Sequence, residues 1–216
     1  MLSKDALKND LLPVFGDVGG KHAAGEMAQR IGESLYTFVK TGTVYCKIST
    51  DGGAVALGVT AGPVTGTADG GVDTNAKGRG LSPAKKDLIK ELTGVFSPVS
   101  EGAPAKADKM AMAVFRFFTA AQILTEDKTS GPMAAPPPVG PVAGSIGGRG
   151  GVDQRTEGMG YDAAKPILIE GLTAIFNDVG GRKETDTMAK RISEEIWKFC
   201  KEGIVTTEGN FMAPLS

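Results

Sequence analysis

The chain repeats itself at a fixed spacing, and this repetition limits the folds that are open to it. The tetrapeptide GGVD begins at Gly70 and again at Gly150, eighty residues later. The same register aligns Leu88 with Leu168, and the N-terminal segment joins at an offset of about 81, which places Leu7 opposite Leu88. Units repeated in this way bury their apolar faces against one another or against a partner, because a single short hairpin hides too little surface.

Each of the three copies carries apolar residues at helical spacing. Ser82 and Pro83 are typical of an N-cap and a first helical residue, and a short turn then leads to a second helix. We predict that Gly42 and Gly203 end this second helix as left-handed caps in the first and third copies. Pro13 lies inside the first helix, which should therefore stop early or kink there. The pattern predicts a mainly α fold of three repeated helical hairpins, with a period of about 80 residues.

Glycine- and proline-rich stretches separate the hairpins, and glycine makes up 31 of the 216 residues. Val55, Leu57 and Val59 alternate as in a strand, whereas the prolines at 136–138 favour polyproline geometry. We therefore expect extended arms, held by neighbouring subunits through strand addition or in a groove. The predicted units are a helical hairpin over 1–44, a Gly-rich arm over 45–80, a second and most apolar hairpin over 81–124, a Gly/Pro-rich arm over 125–160, a third hairpin over 161–206 and a C-terminal tail over 207–216.

The second helix of the middle copy, KMAMAVFRFFTAAQIL, has almost no polar face. A helix that is apolar all round is buried all round, so this hairpin is the candidate core of the protein or its docking surface. The residues that we expect in the core or in an interface are aromatic. They are Phe115, Phe117 and Phe118 of this helix, the aligned set Phe15, Phe96 and Phe176, and the aligned pair Tyr36 and Trp197.

Charge and cysteine content narrow the classes of function. Lys and Arg total 24 against 25 for Asp and Glu, with no long run of either sign, so we expect no nucleic-acid or membrane partner. No stretch approaches the roughly 20 apolar residues of a membrane span, and the N-terminus lacks the apolar core of a signal peptide. Cys46 and Cys200 are far apart and indicate reduced thiols in a cytoplasm rather than a disulfide framework.

Four features could indicate chemistry, and each has a simpler interpretation. The run GSIGGRGG lacks the strand before it and the helix after it that a nucleotide loop needs, so a linker is favoured. His22 is the sole histidine and is replaced by lysine in the third copy, which argues against a triad or zinc site. Glu194 and Glu195 lie among basic residues at helical spacing and indicate a salt-bridged face. Asp73 and Asp153 favour turn formation over a cation site. We expect no catalytic residue, cofactor, metal or small-molecule substrate.

Helical hairpins punctuated by stretches such as ALGVTAGPVTGTADGG resemble the small structural proteins of tailed-bacteriophage virions that decorate or connect heads and tails. The likeness covers the whole chain. It implies a non-enzymatic, multicopy subunit of the virion, assembled in the host cytoplasm, whose arms fold onto other copies of itself and onto neighbouring virion proteins. Two alternatives stay open: a helical-repeat adaptor that binds a peptide in a groove between hairpins, and an enzyme whose site the sequence does not reveal.

Overall fold

In the computed structural model, six helices dominate the residues that the structure describes, so the predicted mainly helical class is confirmed. The structure describes residues 2–16, 23–50, 54–55, 58–59, 64–72, 80–97, 101–132, 141–152, 159–178, 185–207 and 212–214. The helices are α1 (Lys4–Gly16), α2 (Ala24–Lys40), α3 (Leu81–Phe96), α4 (Ala103–Thr119), α5 (Gly160–Asn177) and α6 (Thr185–Lys201). The strands are β1 (Thr43–Thr50), β2 (Ala54–Val55), β3 (Gly58–Val59), β4 (Val64–Val72), β5 (Gln122–Pro132), β6 (Pro141–Val152), β7 (Ile204–Thr207) and β8 (Met212–Pro214).

Each helix packs against the next one along the chain, and α6 returns to pack against α1, so the six helices close into a ring. The contacts α2–α3, α4–α5 and α6–α1 are more extensive than those between α1 and α2 or between α5 and α6. Apolar residues at helical spacing fill the interior. The buried residues of the three odd-numbered helices include Leu7, Leu11 and Val14, then Leu88, Leu92 and Val95, then Leu168, Leu172 and Ile175.

The strands that lie between the helices pair within the chain. Six of them form one antiparallel sheet in the order β1-β4-β5-β6-β7-β8, and β2 and β3 pair separately. Strand β6 pairs with β5 along its length, but with β7 over three residues only, and β8 also lies close to β1. We expected the glycine-rich segments to find sheet partners on neighbouring subunits, whereas the described parts of these segments find them in the chain itself.

Three predictions about helix ends are wrong, namely the start of α3 and the two left-handed glycine caps. Helix α3 begins at Leu81 rather than at Ser82 or Pro83, with Gly80 as its N-cap at φ 73°. Gly160, aligned with Gly80, has φ 57°, and glycine is the residue that reaches this region at least cost. Gly42 and Gly203 are not left-handed caps. For Gly203 the reason is space, because a Cβ atom there would lie 2.5 Å from the ring of Tyr161.

Two further expectations concern α1 and α4. An early stop at Pro13 is wrong, because α1 runs on to Gly16, whereas the alternative of a kink at Pro13 stays a prediction. Pro13 is exposed, so water can hydrate the carbonyl that loses its helical partner. Helix α4 is not buried all round. Its exposed Arg116 and Lys109 form ion pairs with Glu91 at 2.7 Å and with Glu101 at 2.5 Å, and these pairs keep one face of the helix in solvent.

Candidate functional site

A lysine lies over an aromatic ring at each of the three extensive helix contacts. In every case the lysine belongs to the first turns of an odd-numbered helix, and the ring belongs to the even-numbered helix beside it. The distances from Nζ to the ring centroid are 4.7 Å for Lys85 over Tyr36, 5.0 Å for Lys165 over Phe115 and 5.7 Å for Lys4 over Trp197. A cation over the face of a ring is attracted by the ring quadrupole, so the same interaction occurs at α2–α3, α4–α5 and α6–α1.

Further charges surround two of these rings. Lys40 lies 5.1 Å from the Tyr36 ring and Lys201 lies 4.5 Å from the Trp197 ring, so each ring contacts a second lysine from its own helix. Lys85 also donates to both carboxylate oxygens of Glu33, at 2.9 and 3.0 Å. These groups are partly exposed, so each contact contributes only about 0.5–1 kcal/mol.

An aromatic cluster lies in the core where α4, α5 and α6 meet. The Tyr161 ring stacks on Phe199 at 4.6 Å, and Phe118 meets both rings edge-on at 5.9 Å. The Tyr161 hydroxyl donates to the carbonyl oxygen of Cys200 at 3.3 Å and lies 3.8 Å from its sulfur. Burial raises the pKa of Tyr161 well above its usual value, and burial likewise raises the pKa of Cys200. Both groups are therefore neutral at physiological pH, and a neutral buried thiol is a poor nucleophile.

An open groove lies between α1 and α2, another between α3 and α4, and a third between α5 and α6. The groove between α3 and α4 has a volume of about 810 Å³, that between α1 and α2 about 540 Å³, and that between α5 and α6 about 310 Å³. In the largest groove, Met112 and Phe117 supply apolar surface, and the ion pair between Arg116 and Glu91 lies along the wall. For an adaptor we expect a peptide groove between one hairpin and the next. The three grooves instead lie within the pairs α1–α2, α3–α4 and α5–α6.

The groove between α5 and α6 differs from the others in its exposed apolar surface. Ile167, which lines it, is 63% exposed, and Met159 at the start of α5 is 58% exposed. These are the exposed large apolar side chains of the described residues. The residues aligned with Ile167 are Ala6 in α1 and Asp87 in α3.

The aromatic residues singled out from the sequence occupy two environments. Three are buried, namely Phe15, Phe117 and Phe118. Five are half-buried and pack against the core, namely Phe115, Phe96, Phe176, Tyr36 and Trp197. Sequence reasoning missed that Phe115 belongs to the same set as Tyr36 and Trp197. An alignment that makes the middle turn two residues shorter than the others would have found this correspondence.

The other candidates give mixed outcomes. Glu195 pairs with Lys198 at 2.8 Å, as expected for a salt-bridged helix face. The run GSIGGRGG lies in β6, and Cys200 is a free, buried thiol. His22, Asp73 and Asp153 lie outside the described residues.

Among the described residues, no group of three or more His, Cys, Asp or Glu side chains is placed to hold a metal ion. None of the helices described is both long enough and apolar enough to cross a membrane.

No protein-family model matches the chain, and no curated protein or solved structure is significantly similar to it. The function is therefore inferred from the contacts, grooves and exposed surfaces described above.

Proposed function

We propose that the chain is a non-enzymatic structural subunit of a symmetric multi-subunit assembly, namely a tailed-bacteriophage virion. In this proposal the six helices are three copies of one hairpin, and the strand-forming segments between them are its arms. The lysine-over-aromatic contact at α2–α3, α4–α5 and α6–α1 is the observation that supports it most. The same pair of residue types joins neighbouring hairpins at all three places, as expected for repeated units that bury their faces against one another.

The location of the ionisable groups also favours a structural role over catalysis. The two groups whose pKa values burial raises most, Tyr161 and Cys200, bond to each other in the core and line none of the three grooves. The grooves instead present ion pairs such as Arg116 with Glu91 and Lys198 with Glu195. Partly exposed ion pairs stabilise helix packing weakly and leave a surface suited to docking.

Quantitative mass spectrometry of purified particles tests the proposed role. Particles of the virus that encodes the chain should contain it at a fixed copy number relative to their major subunit, and that number should survive a high-salt wash. A chain that is abundant in infected cells but missing from purified particles would refute the role.

A peptide-binding adaptor is the second candidate, and the groove between α3 and α4 favours it. This groove combines a volume of about 810 Å³ with apolar surface from Met112 and Phe117. Mixed apolar and charged walls of this kind accept amphipathic helices. An adaptor should saturate with one peptide per chain in a titration followed by NMR, with shifts at Met112 and Phe117. Met112→Lys should abolish the peptide-induced shifts at Phe117. A structural subunit should show shifts along several surfaces once its neighbours are added.

A further inference from the structure

The sheet contains two junctions at which one strand hairpin meets the next, and both have the same register. At the first junction Val72 of β4 lies opposite Ile123 of β5, and at the second Val152 of β6 lies opposite Val205 of β7. Val72 and Val152 belong to the two aligned GGVD tetrapeptides, and Ile123 and Val205 are each the second residue of their strand. The second junction therefore begins as the first one does.

The second junction is much shorter than the first. Strand β4 pairs with β5 over eight residues, whereas β6 pairs with β7 over three, from Gly150 to Val152. The difference comes from β7, which ends at Thr207, whereas β5 continues to Pro132. Residues 141–149 of β6 pair with β5 on one side, and none of the described strands pairs with them on the other. We call this unpaired side of residues 141–149 the β6 edge.

The backbone of the β6 edge is suited to a further strand. Successive residues of an antiparallel strand direct their N–H and C=O groups to opposite sides, so about half of these nine residues direct theirs to the β6 edge. The edge is about 30 Å long, since each residue of a strand adds roughly 3.3 Å. Pro141, which lacks a donor, is the first residue of the strand, and no proline follows it up to Arg149.

We propose that β6 pairs along this edge with β6 of a second copy of this chain, in antiparallel order about a twofold axis. A second copy fits because its edge is free over the same residues, so each edge supplies the partners that the other lacks. Every strand pair of the six-stranded sheet is antiparallel, and this contact continues the same pattern. The inference rests on the proposed assembly role and names one of its contacts.

The twofold axis fixes which residues meet. If all of 141–149 pairs, Ser145 lies on the axis, opposite Ser145 of the second copy, and Arg149 lies opposite Pro141 of the second copy. Like charges directly opposite each other destabilise a strand pair, and this register contains none. The contact is a single strand pair, so we expect a dissociation constant in the micromolar range, which several simultaneous contacts in an assembly would strengthen.

Strand β2 of the same chain is the rival occupant of the β6 edge, because it lies close to β6. It pairs with β3 in a separate two-stranded sheet and does not belong to the sheet of β6. With two residues, Ala54 and Val55, it is also too short to pair with more than a small part of the edge. An edge covered by β2 would leave the chain monomeric, so association in solution distinguishes the two occupants.

Disulfide trapping in the full chain tests the pairing, in a Cys46→Ser, Cys200→Val background. Ser145→Cys should form a covalent dimer on mild oxidation, because a residue on the axis faces itself at a Cα separation of about 4.5–5.5 Å, which a disulfide spans. Thr65→Cys is the matched control. Thr65 lies eighty residues earlier at the aligned position of β4, which β1 and β5 cover on both sides, so this variant should stay monomeric.

Charge on the twofold axis provides a second test, by sedimentation equilibrium between about 1 and 500 μM. The wild-type chain should show a monomer–dimer equilibrium. Ser145→Lys should raise the dissociation constant about fivefold, because two lysines then lie directly opposite each other. An equimolar mixture of Ser145→Lys and Ser145→Glu should associate more tightly than either variant alone, because a lysine of one copy then faces a glutamate of the other. Circular dichroism checks that each variant folds.

A wild-type chain that stays monomeric at the highest concentration would overturn the proposal. Equal cross-linking of Ser145→Cys and Thr65→Cys would also overturn it, because random collision would then explain both. A mixture of the lysine and glutamate variants that associates no better than either alone would rule out the twofold at Ser145. These outcomes are independent of the particle inventory. A dimer that is missing from particles refutes the proposed role, and a monomer found in particles refutes only this interface.

Discussion

Replacing Gly203 by alanine should destabilise the protein by steric overlap. A Cβ atom at this position would lie 2.5 Å from Cζ and from the hydroxyl oxygen of Tyr161 and 2.8 Å from its Cε1. Side-chain contacts are normally 3.4 Å or longer, so the ring or the backbone would have to move by about 0.9 Å. The ring has little freedom to do so, because it stacks on Phe199 at 4.6 Å and meets Phe118 at 5.9 Å.

The expected cost of Gly203→Ala is about 2–3 kcal/mol, in the upper part of the range for overpacked cores. For a chain of 216 residues this corresponds to a fall in Tm of roughly 4–12 °C. Urea unfolding followed by circular dichroism measures the free energy of unfolding. The backbone contributes nothing to this cost, since Gly203 does not have a positive φ.

A double-mutant cycle separates overlap from other causes. Leu81 in α3 and Ala121 after α4 are both buried and align in the sequence with Tyr161 and Gly203. At these aligned positions a leucine replaces the tyrosine ring and an alanine replaces the glycine. In a Tyr161→Leu background, Gly203→Ala should therefore cost less than about 0.5 kcal/mol, which gives a coupling energy of about 2 kcal/mol. An equal cost in both backgrounds would refute the steric explanation.

Gly94→Ala is the matched control for the glycine substitution. Nothing lies within 4 Å of a Cβ atom built on Gly94, which is an exposed residue inside α3, and Ala174 occupies the aligned position in α5. This change should raise the free energy of unfolding by up to about 1 kcal/mol, because alanine favours the helix.

Substitutions at a lysine contact and at the buried thiol should also change stability. Lys85→Met should lower the free energy of unfolding by about 1 kcal/mol, because the contacts with the Tyr36 ring and with Glu33 are lost. Lys86→Met is the control. Lys86 is exposed, so this change should alter the free energy of unfolding by less than about 0.5 kcal/mol in the same urea assay. Burial raises the pKa of Cys200, so above about pH 9 the native state keeps the thiol proton whereas the unfolded chain loses it. The free energy of unfolding should therefore be constant with respect to this group below about pH 9 and should fall as the pH rises further. Cys200→Val, which introduces the residue found at Val39, should make this decline shallower by up to about 1.4 kcal/mol per pH unit between pH 9 and 10. An unchanged slope would show that the thiol titrates alike in both states.

Helix faces could be predicted from the sequence because burial follows a local period. Leu7, Leu88 and Leu168 are aligned in the sequence and are all buried in the structure. The apolar composition of α4 was misleading, since two isolated basic residues, Lys109 and Arg116, suffice to keep one face in solvent once acidic partners lie nearby.

Contacts between distant parts of the chain could not be predicted in the same way. Nothing local in α1 or α6 signals that Lys4 lies over Trp197, because this contact depends on how all the other helices pack. The prediction for Gly203 is wrong because two different requirements select glycine: a left-handed helix cap and a position with no space for a Cβ atom. Strand pairing was missed because glycine-rich segments have little intrinsic preference for strands, and their partners are set by the helices that flank them.

The six helices close into a ring where α6 packs against α1, and Trp197 provides a probe of this closure. Trp197 is the sole tryptophan, so the fluorescence of the chain reports on this position alone. A nitroxide attached to Lys4→Cys, in a Cys46→Ser, Cys200→Val background, quenches this fluorescence if α1 contacts α6. The matched control is a nitroxide on Lys85→Cys, which occupies the aligned position in α3 and lies over Tyr36. A closed ring predicts strong quenching from position 4 and little from position 85. Equally weak quenching from both positions would contradict it.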